Sequence, residues 1–304
     1  MSFLVPGRTE LLRLPGTDPH LGAAVMYRPH VALMSILVGA ALLTSACAKD
    51  TPATAPPADD DTSVGHIHGL GVDPADDSLY VATHFGLFHV DERGRPSRVA
   101  DRYQDTMAFT VVGPGHFLGS GHPDLREDLP AHLGLIESTD AGETWKPLAL
   151  QGEADFHILE PAGDALYAYD ATSGSLLRTE DRKTFDDVFR GPLISVAAFD
   201  EGDPPIATDG NGQLVSIDAK TGQTRELGGP TMMYLDTTPD GTLAGIDPDG
   251  VVRVSTDTGR TWRQAGSIDG QPAAFTISTQ GWYAATETAA YRSTDDGVTW
   301  SRVL

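Results

Sequence analysis

An eight-residue element, S-T-D-x-G-x-T-W, recurs along the chain and constrains its fold more than any other feature of the sequence. Complete copies begin at Ser138, Ser255 and Ser293. Weaker copies begin at Arg178 and Ser216, so the five starts are separated by 38 to 40 residues. A period of this length is typical of propeller blades rather than of one continuous sheet. The repeats therefore predict an all-β propeller.

Each copy of the element has the residue types of a tight hairpin turn. The Asp carboxylate can accept hydrogen bonds from turn amides, the Gly can adopt a positive φ, and the Trp can pack beneath the turn. We therefore expect a structural role for the Ser, Asp, Gly and Trp of the complete copies, which are Ser138, Asp140, Gly142, Trp145, Ser255, Asp257, Gly259, Trp262, Ser293, Asp295, Gly297 and Trp300.

Counting outward from the repeats divides the C-terminal domain, residues 64–304, into blades. The abundance of glycine (33) and proline (21) favours β-structure with many turns. Six four-stranded antiparallel units are predicted, over residues 64–103, 104–151, 152–191, 192–230, 231–269 and 270–304. A seven-bladed propeller is the alternative if a strand has been missed.

The residues before this domain have the pattern of an export signal. A short basic region follows Met26, which we expect to be the true start, and precedes the apolar run Val31–Leu43. That run is too short to span a bilayer comfortably but has the length of a signal-peptide core. Small residues then lead to Cys47, the only cysteine, in a pattern that resembles the bacterial lipobox, although Thr44 stands where Leu is usual.

The resulting expectation is a lipoprotein held outside the cytoplasm on a membrane. Residues 1–46 are the signal segment, lipidated Cys47 is the anchor, and residues 47–63 form a tether rich in Pro, Ala and Asp. Simple secretory cleavage is the alternative. We expect a monomer whose membrane contact is made through the lipid.

The charge of the chain limits its partners. Its 43 acidic and 21 basic residues give a formal net charge of −22. Such a chain repels the phosphates of nucleic acids, so a nucleic-acid partner is not expected. A metal ion or another cationic partner is compatible with this charge.

The histidines gather at one end of the predicted propeller. Because strands in a blade are antiparallel, the start of the first strand and the end of the second lie together, opposite the repeated turn. Positions of this kind are occupied by His66, His68, His84, His122, His157, Asp105 and Asp155, with His132 in an insertion on the same end. His89 and His116 map elsewhere, and we expect them to be structural.

A funnel with one histidine-rich and one acidic side is therefore expected. The acidic side would consist of Asp170, Asp209, Asp247 and Glu287. Imidazole and carboxylate together suit a divalent transition metal such as zinc or copper. A pocket for a polar ligand without metal, and plain polar lining of a wet channel, are the alternatives.

The repeats and the segments HIHGLGVDP, ATHFGLF, GHPD and EADFH resemble a little-studied group of bacterial lipoproteins with Asp-box (BNR) repeats. Members of that group are labelled glycosyl hydrolase or exo-α-sialidase-like, and the resemblance covers residues 64–304. It implies a sialidase-like propeller and, if any activity, glycoside hydrolysis.

The residues expected of a sialidase are missing. Such a site needs an arginine cluster, a tyrosine nucleophile with a carboxylate partner, and an acid. The arginines expected at the repeated turns lie at the wrong end, and the Arg-Ile-Pro element is absent. We therefore predict binding of a metal, a small polar ligand, a glycan or an envelope protein. The alternative is a glycoside hydrolase that uses two acids among Asp105, Asp155, Asp170 and Asp209.

Overall fold

The structure, a computed structural model, describes residues 64–199 and 203–304. These residues form six four-stranded antiparallel sheets arranged as a six-bladed β-propeller, with one short 3-10 helix, Val99–Asp101. The predicted fold and blade number are confirmed. The signal segment, Cys47 and the tether lie outside the described residues. Within the part of the chain that the structure covers, no helix has the length and apolarity needed to cross a bilayer.

Each blade is built from four consecutive strands, paired in chain order. The first three blades comprise β1 Ile67–Asp73, β2 Ser78–Thr83, β3 Gly86–Val90, β4 Pro96–Arg98, β5 Asp105–Gly113, β6 His116–His122, β7 Leu135–Ser138, β8 Lys146–Ala149, β9 Phe156–Ala162, β10 Ala165–Asp170, β11 Ser175–Thr179 and β12 Asp186–Arg190. The last three comprise β13 Leu193–Ala197, β14 Ile206–Asp209, β15 Leu214–Ile217, β16 Thr224–Glu226, β17 Tyr234–Thr237, β18 Leu243–Ile246, β19 Val251–Ser255, β20 Arg263–Ser267, β21 Ala274–Ser278, β22 Gly281–Ala285, β23 Ala290–Ser293 and β24 Ser301–Arg302.

The second strand of each blade is covered on both faces by neighbouring blades. All six residues of β10 are buried, and β2 is buried after its first residue. A strand packed on both faces becomes continuously apolar rather than alternating. Small residues such as Ala82, Ala168 and Ala207 let the blades approach closely at these strands.

The hydrophobic core is divided among the seams between blades. Within the described residues, six clusters of buried side chains each join one blade to the next. Phe156 packs with Leu118 across the seam of blades 2 and 3, for example, and Trp282 packs with Ile246 across that of blades 5 and 6. The propeller is therefore held together seam by seam rather than around one central core.

In the part of the chain that the structure describes, the ring closes without exchange of a strand between its first and last blades. The cluster at this seam joins Phe88 of blade 1 to Tyr283 of blade 6, with Leu304 packed against it. The Ile67 amide donates to the Glu287 carbonyl oxygen across the same seam, at 3.2 Å.

The repeated element forms the same turn in all three complete copies. In the first copy, the Ser138 hydroxyl donates to Asp140 Oδ1 at 2.8 Å and accepts from the Gly142 amide at 2.8 Å. Asp140 also accepts from the Thr144 amide and hydroxyl at 2.9 and 2.6 Å. The corresponding bonds recur in the copies that begin at Ser255 and Ser293.

Candidate functional site

The histidines singled out in the sequence lie together at one end of the propeller. His66 precedes β1, His84 follows β2, His122 ends β6, and His157 is the second residue of β9. We call this end the histidine face, and the opposite end, which carries the repeated turns, the turn face. Blades 1 to 3 supply all of these side chains.

His68, His84 and Asp105 form a first group, which we call the first His/Asp group. His84 Nδ1 lies 2.9 Å from Asp105 Oδ1, and His68 Nε2 lies 3.7 Å from the same oxygen. The rings of His68 and His84 meet edge to face, with their centroids 4.2 Å apart. One ligand atom from each residue lies within 4.8 Å of the others, so all three can reach one ion.

Burial keeps His68 neutral. The side chain is only 11% exposed, and its desolvation, assisted by the neighbouring His84, His66 and His157, lowers the pKa of His68 to about 3. A neutral imidazole is the form that binds a metal.

His122, His132 and Asp155 form a second His/Asp group one seam further around the ring. Asp155 Oδ2 lies 3.9 Å from His122 Nε2 and 3.8 Å from His132 Nδ1. His157 adds a third imidazole, with its Nε2 3.2 Å from the same oxygen. One carboxylate oxygen therefore faces three imidazoles, and its side chain is largely buried.

Backbone and side-chain bonds hold the second group in place. The Asp155 amide donates to Asp170 Oδ1 at 3.0 Å. The insertion that carries His132 is closed at its base, because the Leu133 amide donates to the Gly121 carbonyl oxygen at 2.9 Å. His122 Nδ1 lies 2.9 Å from the Ala131 carbonyl oxygen, which leaves Nε2 of that ring directed to Asp155.

Three atoms of these groups are buried without a hydrogen-bond partner among the described residues. They are His68 Nε2, His132 Nδ1 and Asp155 Oδ1. Buried polar atoms in native proteins nearly always have partners, so each unsatisfied one calls for an explanation. A bound ion or ligand would supply the missing interaction.

The remaining histidines differ in position. His66 is exposed at the rim, with its ring centroid 5.0 Å from that of His68 and its Nδ1 4.0 Å from Glu287 Oε1. His116, at the turn face, has Nε2 2.8 Å from Glu137 Oε1, and His89 lies in β3 against the Tyr80 ring. The last two are therefore outside the candidate site.

Three of the four acids expected on the acidic side of the funnel cap turns in the structure. Asp170, Asp209 and Asp247 end or follow the second strands of their blades, but their carboxylates accept bonds from the turns that come next. The amides of Thr172, Asn211 and Asp249 donate to them at 2.8 to 3.1 Å. These acids cap turns because an Asp followed within a few residues by Gly or Asn is a turn former. Glu287 alone lies beside a histidine.

Two acids inside the channel were not expected from the sequence. Glu160 and Asp236 line the narrow passage below His68 and His157, and they also line a cavity of about 800 Å³ toward the turn face. Burial raises the pKa of Asp236 to about 6, although the Ile277 amide donates to its carboxylate at 2.6 Å. Both acids lie in the first strands of their blades, β9 and β17. The alternation of residues along such a strand shows which side chains face inward. It does not distinguish an acid that lines the channel from one that lies in a seam between blades.

No protein-family model matches the chain, and no curated protein matches it. Solved structures with the same fold include a gluconolactonase from Xanthomonas campestris, with a TM-score of 0.60 and 13% identity over 74% of this chain and 84% of that one. Virginiamycin B lyase from Staphylococcus aureus has a TM-score of 0.52 and 12% identity over 80% and 85% of the two chains. The GH74 xyloglucanase from Xanthomonas campestris has a TM-score of 0.52 and 20% identity over 79% and 38%. At these identities the likeness establishes the β-propeller fold alone.

Proposed function

We propose that this propeller is a membrane-tethered lipoprotein that binds a divalent transition metal, zinc or copper, at its histidine face. The observation that carries the proposal is the pair of His/Asp groups, each with two imidazoles and one carboxylate, and with three buried atoms that lack partners among the described residues. Imidazole nitrogen and carboxylate oxygen are ligands that both metals accept.

The spacing of the first His/Asp group suits a metal. Zinc bonds of about 2.0–2.1 Å in a tetrahedral site place neighbouring ligand atoms roughly 3.3 Å apart. Asp105 Oδ1 lies 2.9 Å from one histidine nitrogen and 3.7 Å from the other, so small rotations bring both to that spacing. Three protein ligands leave further coordination positions for water or a ligand.

The origin of the ligands also supports the proposal. The first group takes His68 and His84 from blade 1 and Asp105 from blade 2, and the second takes its histidines from blade 2 and Asp155 from blade 3. Each ion would therefore bridge a seam between blades, so binding would be coupled to the folded ring.

Elemental analysis and calorimetric titration with zinc and copper test the proposal. We expect stoichiometric metal in the wild-type protein and a decrease in metal affinity of at least about tenfold for each ligand replaced. Even residues that only hydrogen-bond to metal ligands contribute about 10–100-fold to metal affinity. The variants are His68→Ala for the first group and His122→Ala for the second. His116→Ala, which removes a histidine from the turn face, is the matched control.

The outcomes separate three explanations. Loss of binding in both ligand variants but not in the control supports the metal sites. Equal binding in all four proteins would overturn the proposal and leave a metal-free pocket or plain channel lining. Binding lost in only one ligand variant would restrict the metal to that group.

The membrane anchor is tested separately. Acylation of Cys47 makes the wild-type protein partition with membranes and adds lipid mass to its N-terminal peptide, whereas Cys47→Ser prevents the lipid. An unmodified Cys47 in mature protein would contradict the lipoprotein assignment and leave the metal proposal unaffected.

Glycoside hydrolysis is the second candidate, favoured by the carboxyl groups in the channel. Asp236, with its raised pKa, has the character of a general acid, and Glu160 lines the same cavity beside the hydroxyls of Thr110 and Thr276. Turnover of a glycoside that vanishes in Asp236→Asn or Glu160→Gln, but persists in His68→Ala, would support it. No arginine lines either described cavity of the channel, so a sialidase mechanism is not proposed.

A further inference from the structure

Exposed apolar side chains gather on the histidine face. Among the described residues, the large hydrophobic side chains that are exposed are Phe85, Tyr103, Leu125, Leu129 and Val298. The first four follow β2, precede β5 or lie in the insertion after β6, which places them at the histidine face. We call these four residues the apolar rim. Val298 alone lies at the turn face.

Two arginines and a backbone hydrogen bond hold parts of the apolar rim in place. The Arg98 guanidinium lies 3.7 Å from the centre of the Tyr103 ring and donates to the Phe85 carbonyl oxygen at 2.8 Å. Arg126, next to Leu125, lies 4.8 Å from the same ring. The insertion is tied down because the Tyr103 amide donates to Asp124 Oδ2 at 2.9 Å.

Two arginines at the rim are paired with acids of the insertion. Arg126 pairs with Asp124 at 2.6 Å, and Arg102 pairs with Glu127 at 3.0 Å. The rim is therefore an apolar surface with paired charges on a chain of net charge −22. Leu125 in the rim is 100% exposed. Exposed apolar groups that gather in one place mark interaction surfaces.

The chain joins the propeller at the same place. Its first described residues are Val64 and Gly65, and a side chain on Gly65 would meet the Phe85 ring 2.5 Å away. The segment from Cys47 to residue 63 spans at most roughly 55 Å when fully extended. An anchor at Cys47 therefore keeps the apolar rim at high effective concentration near the bilayer.

We propose that the apolar rim contacts the lipid surface to which the protein is tethered, so that the histidine face is turned toward the membrane. This inference rests on the proposed lipid anchor. Leucine, phenylalanine and tyrosine, with arginines stacked on the aromatic ring, are residue types that enter the headgroup region. Because the whole chain is acidic, the contact is driven by apolar burial and is opposed by anionic lipids.

Tryptophan fluorescence of the full-length protein in vesicles of dibrominated phosphatidylcholine tests the contact. The native tryptophans stand at the starts of β8, β20, β22 and β24, which begin at the turn face. Leu125→Trp therefore adds a reporter whose signal is the difference from wild type. We expect this reporter to lose about half of its emission, as for a side chain 5–10 Å into the headgroup boundary. Val298→Trp, exposed like residue 125 but on the turn face, is the matched control and should lose none.

Two further arms separate the explanations. Adding Leu129→Ser to Leu125→Trp should reduce the quenching, and on vesicles that contain phosphatidylglycerol, added salt should increase it by screening repulsion. Vesicle flotation is measured in parallel. Flotation with no quenching at residue 125 overturns the rim contact but leaves the anchor intact, whereas loss of flotation refutes the anchor. An emission shift that depends on protein concentration rather than on lipid would indicate pairing of two copies and also overturn the proposal.

Discussion

The glycine of the repeated turn is fixed by both its backbone and its surroundings. Gly142 has φ +89°, and its amide donates to the Ser138 hydroxyl. A Cβ at this position would lie 2.6 Å from Leu87 Cδ2, a buried atom of the neighbouring blade. The turn thus packs against the seam as well as closing its own hairpin, which explains why the repeat keeps glycine at this position.

Substitution of this glycine should separate backbone strain from crowding. We expect Gly142→Ala to lower the free energy of unfolding by about 2–4 kcal/mol, through the positive φ and the overpacking against Leu87. Gly241→Ala is the control, because Gly241 has φ +83° but a Cβ added there would meet no atom within 4 Å. It should cost about 1 kcal/mol. Urea unfolding measures both, and equal costs would refute the contribution of crowding.

Asp236 should give stability an unusual pH dependence. Its pKa is raised to about 6 in the folded protein, against about 3.9 in an unfolded chain. The folded state therefore holds the proton more tightly, and the stability contributed by this group is lost as the pH rises from about 4 through 6. Asp236→Asn removes the titrating group and with it this decrease in stability. The difference in the free energy of unfolding between wild type and the variant should therefore shrink as the pH rises across that range.

The control for this experiment is an aspartate whose pKa is lowered rather than raised on folding. Hydrogen bonds from Thr261 lower the pKa of Asp257 to about 2, so its contribution is present above about pH 4 and is lost only in more acidic solution. Asp257→Asn should therefore give a constant stability difference between about pH 4 and 6. A constant difference for Asp236→Asn as well would contradict the raised pKa of Asp236.

At the scale of the elements, polar side chains join neighbouring blades at the seams. Asp73 accepts from the Gly115 amide at 3.0 Å between blades 1 and 2, and Ser120 accepts from the Phe156 amide at 3.1 Å between blades 2 and 3. Glu160 accepts from the Ala198 amide between blades 3 and 4, at 3.1 Å. These bonds satisfy backbone groups that the sheets themselves leave unpaired.

The bond between blades 4 and 5 offers a direct measure of this contribution. Ser195 Oγ accepts from the buried Leu235 amide at 3.0 Å. Ser195→Ala leaves that amide unsatisfied, and we expect a loss of about 1–3 kcal/mol in the free energy of unfolding. Ser175 is also buried, but its hydroxyl has no partner among the described residues. Ser175→Ala should therefore be neutral or stabilising, and an equal loss in both variants would refute the seam contribution.

The sequence predicts the elements better than it predicts the channel. A turn repeated every 38 to 40 residues defines the blades, and antiparallel pairing then brings His68, His84 and Asp105 to one end. The sequence does not show that Asp209 and Asp247 cap turns, because channel acids and turn caps both occur at strand ends. Asp236 was missed because only the three-dimensional closure of the ring distinguishes the channel from the seams.

At the scale of the whole molecule, the ring has seams of different construction. The seam between blades 6 and 1 has an apolar cluster and the bond from the Ile67 amide to Glu287, and the strands of residues 64–199 and 203–304 show no exchange across it. The seams of blades 1 with 2 and 2 with 3 each carry one His/Asp group as well as their apolar clusters. Under the proposed function, metal would add ligand bonds to these two seams alone.

Zinc should therefore protect the ring unevenly against opening. A ligand at 100 times its dissociation constant stabilises the folded state by about 2.7 kcal/mol. Local openings should respond only where the ion bridges the parts that separate. Hydrogen exchange of β1, β5 and β9 should slow when zinc is added, while exchange of β17 and β18 in blade 5, which lies opposite blade 2 in the ring, should change little.

Single carboxylate variants assign this protection to its seams. Asp105→Asn should abolish it at the seam of blades 1 and 2 and retain it at the next, because Asp155 belongs to the other group. Asp155→Asn should do the reverse, and His116→Ala should behave as wild type because its partner Glu137 lies at the turn face. Uniform slowing around the whole ring in every variant would mean that zinc acts on global unfolding through some other site, and the bridging role of the two groups would be refuted.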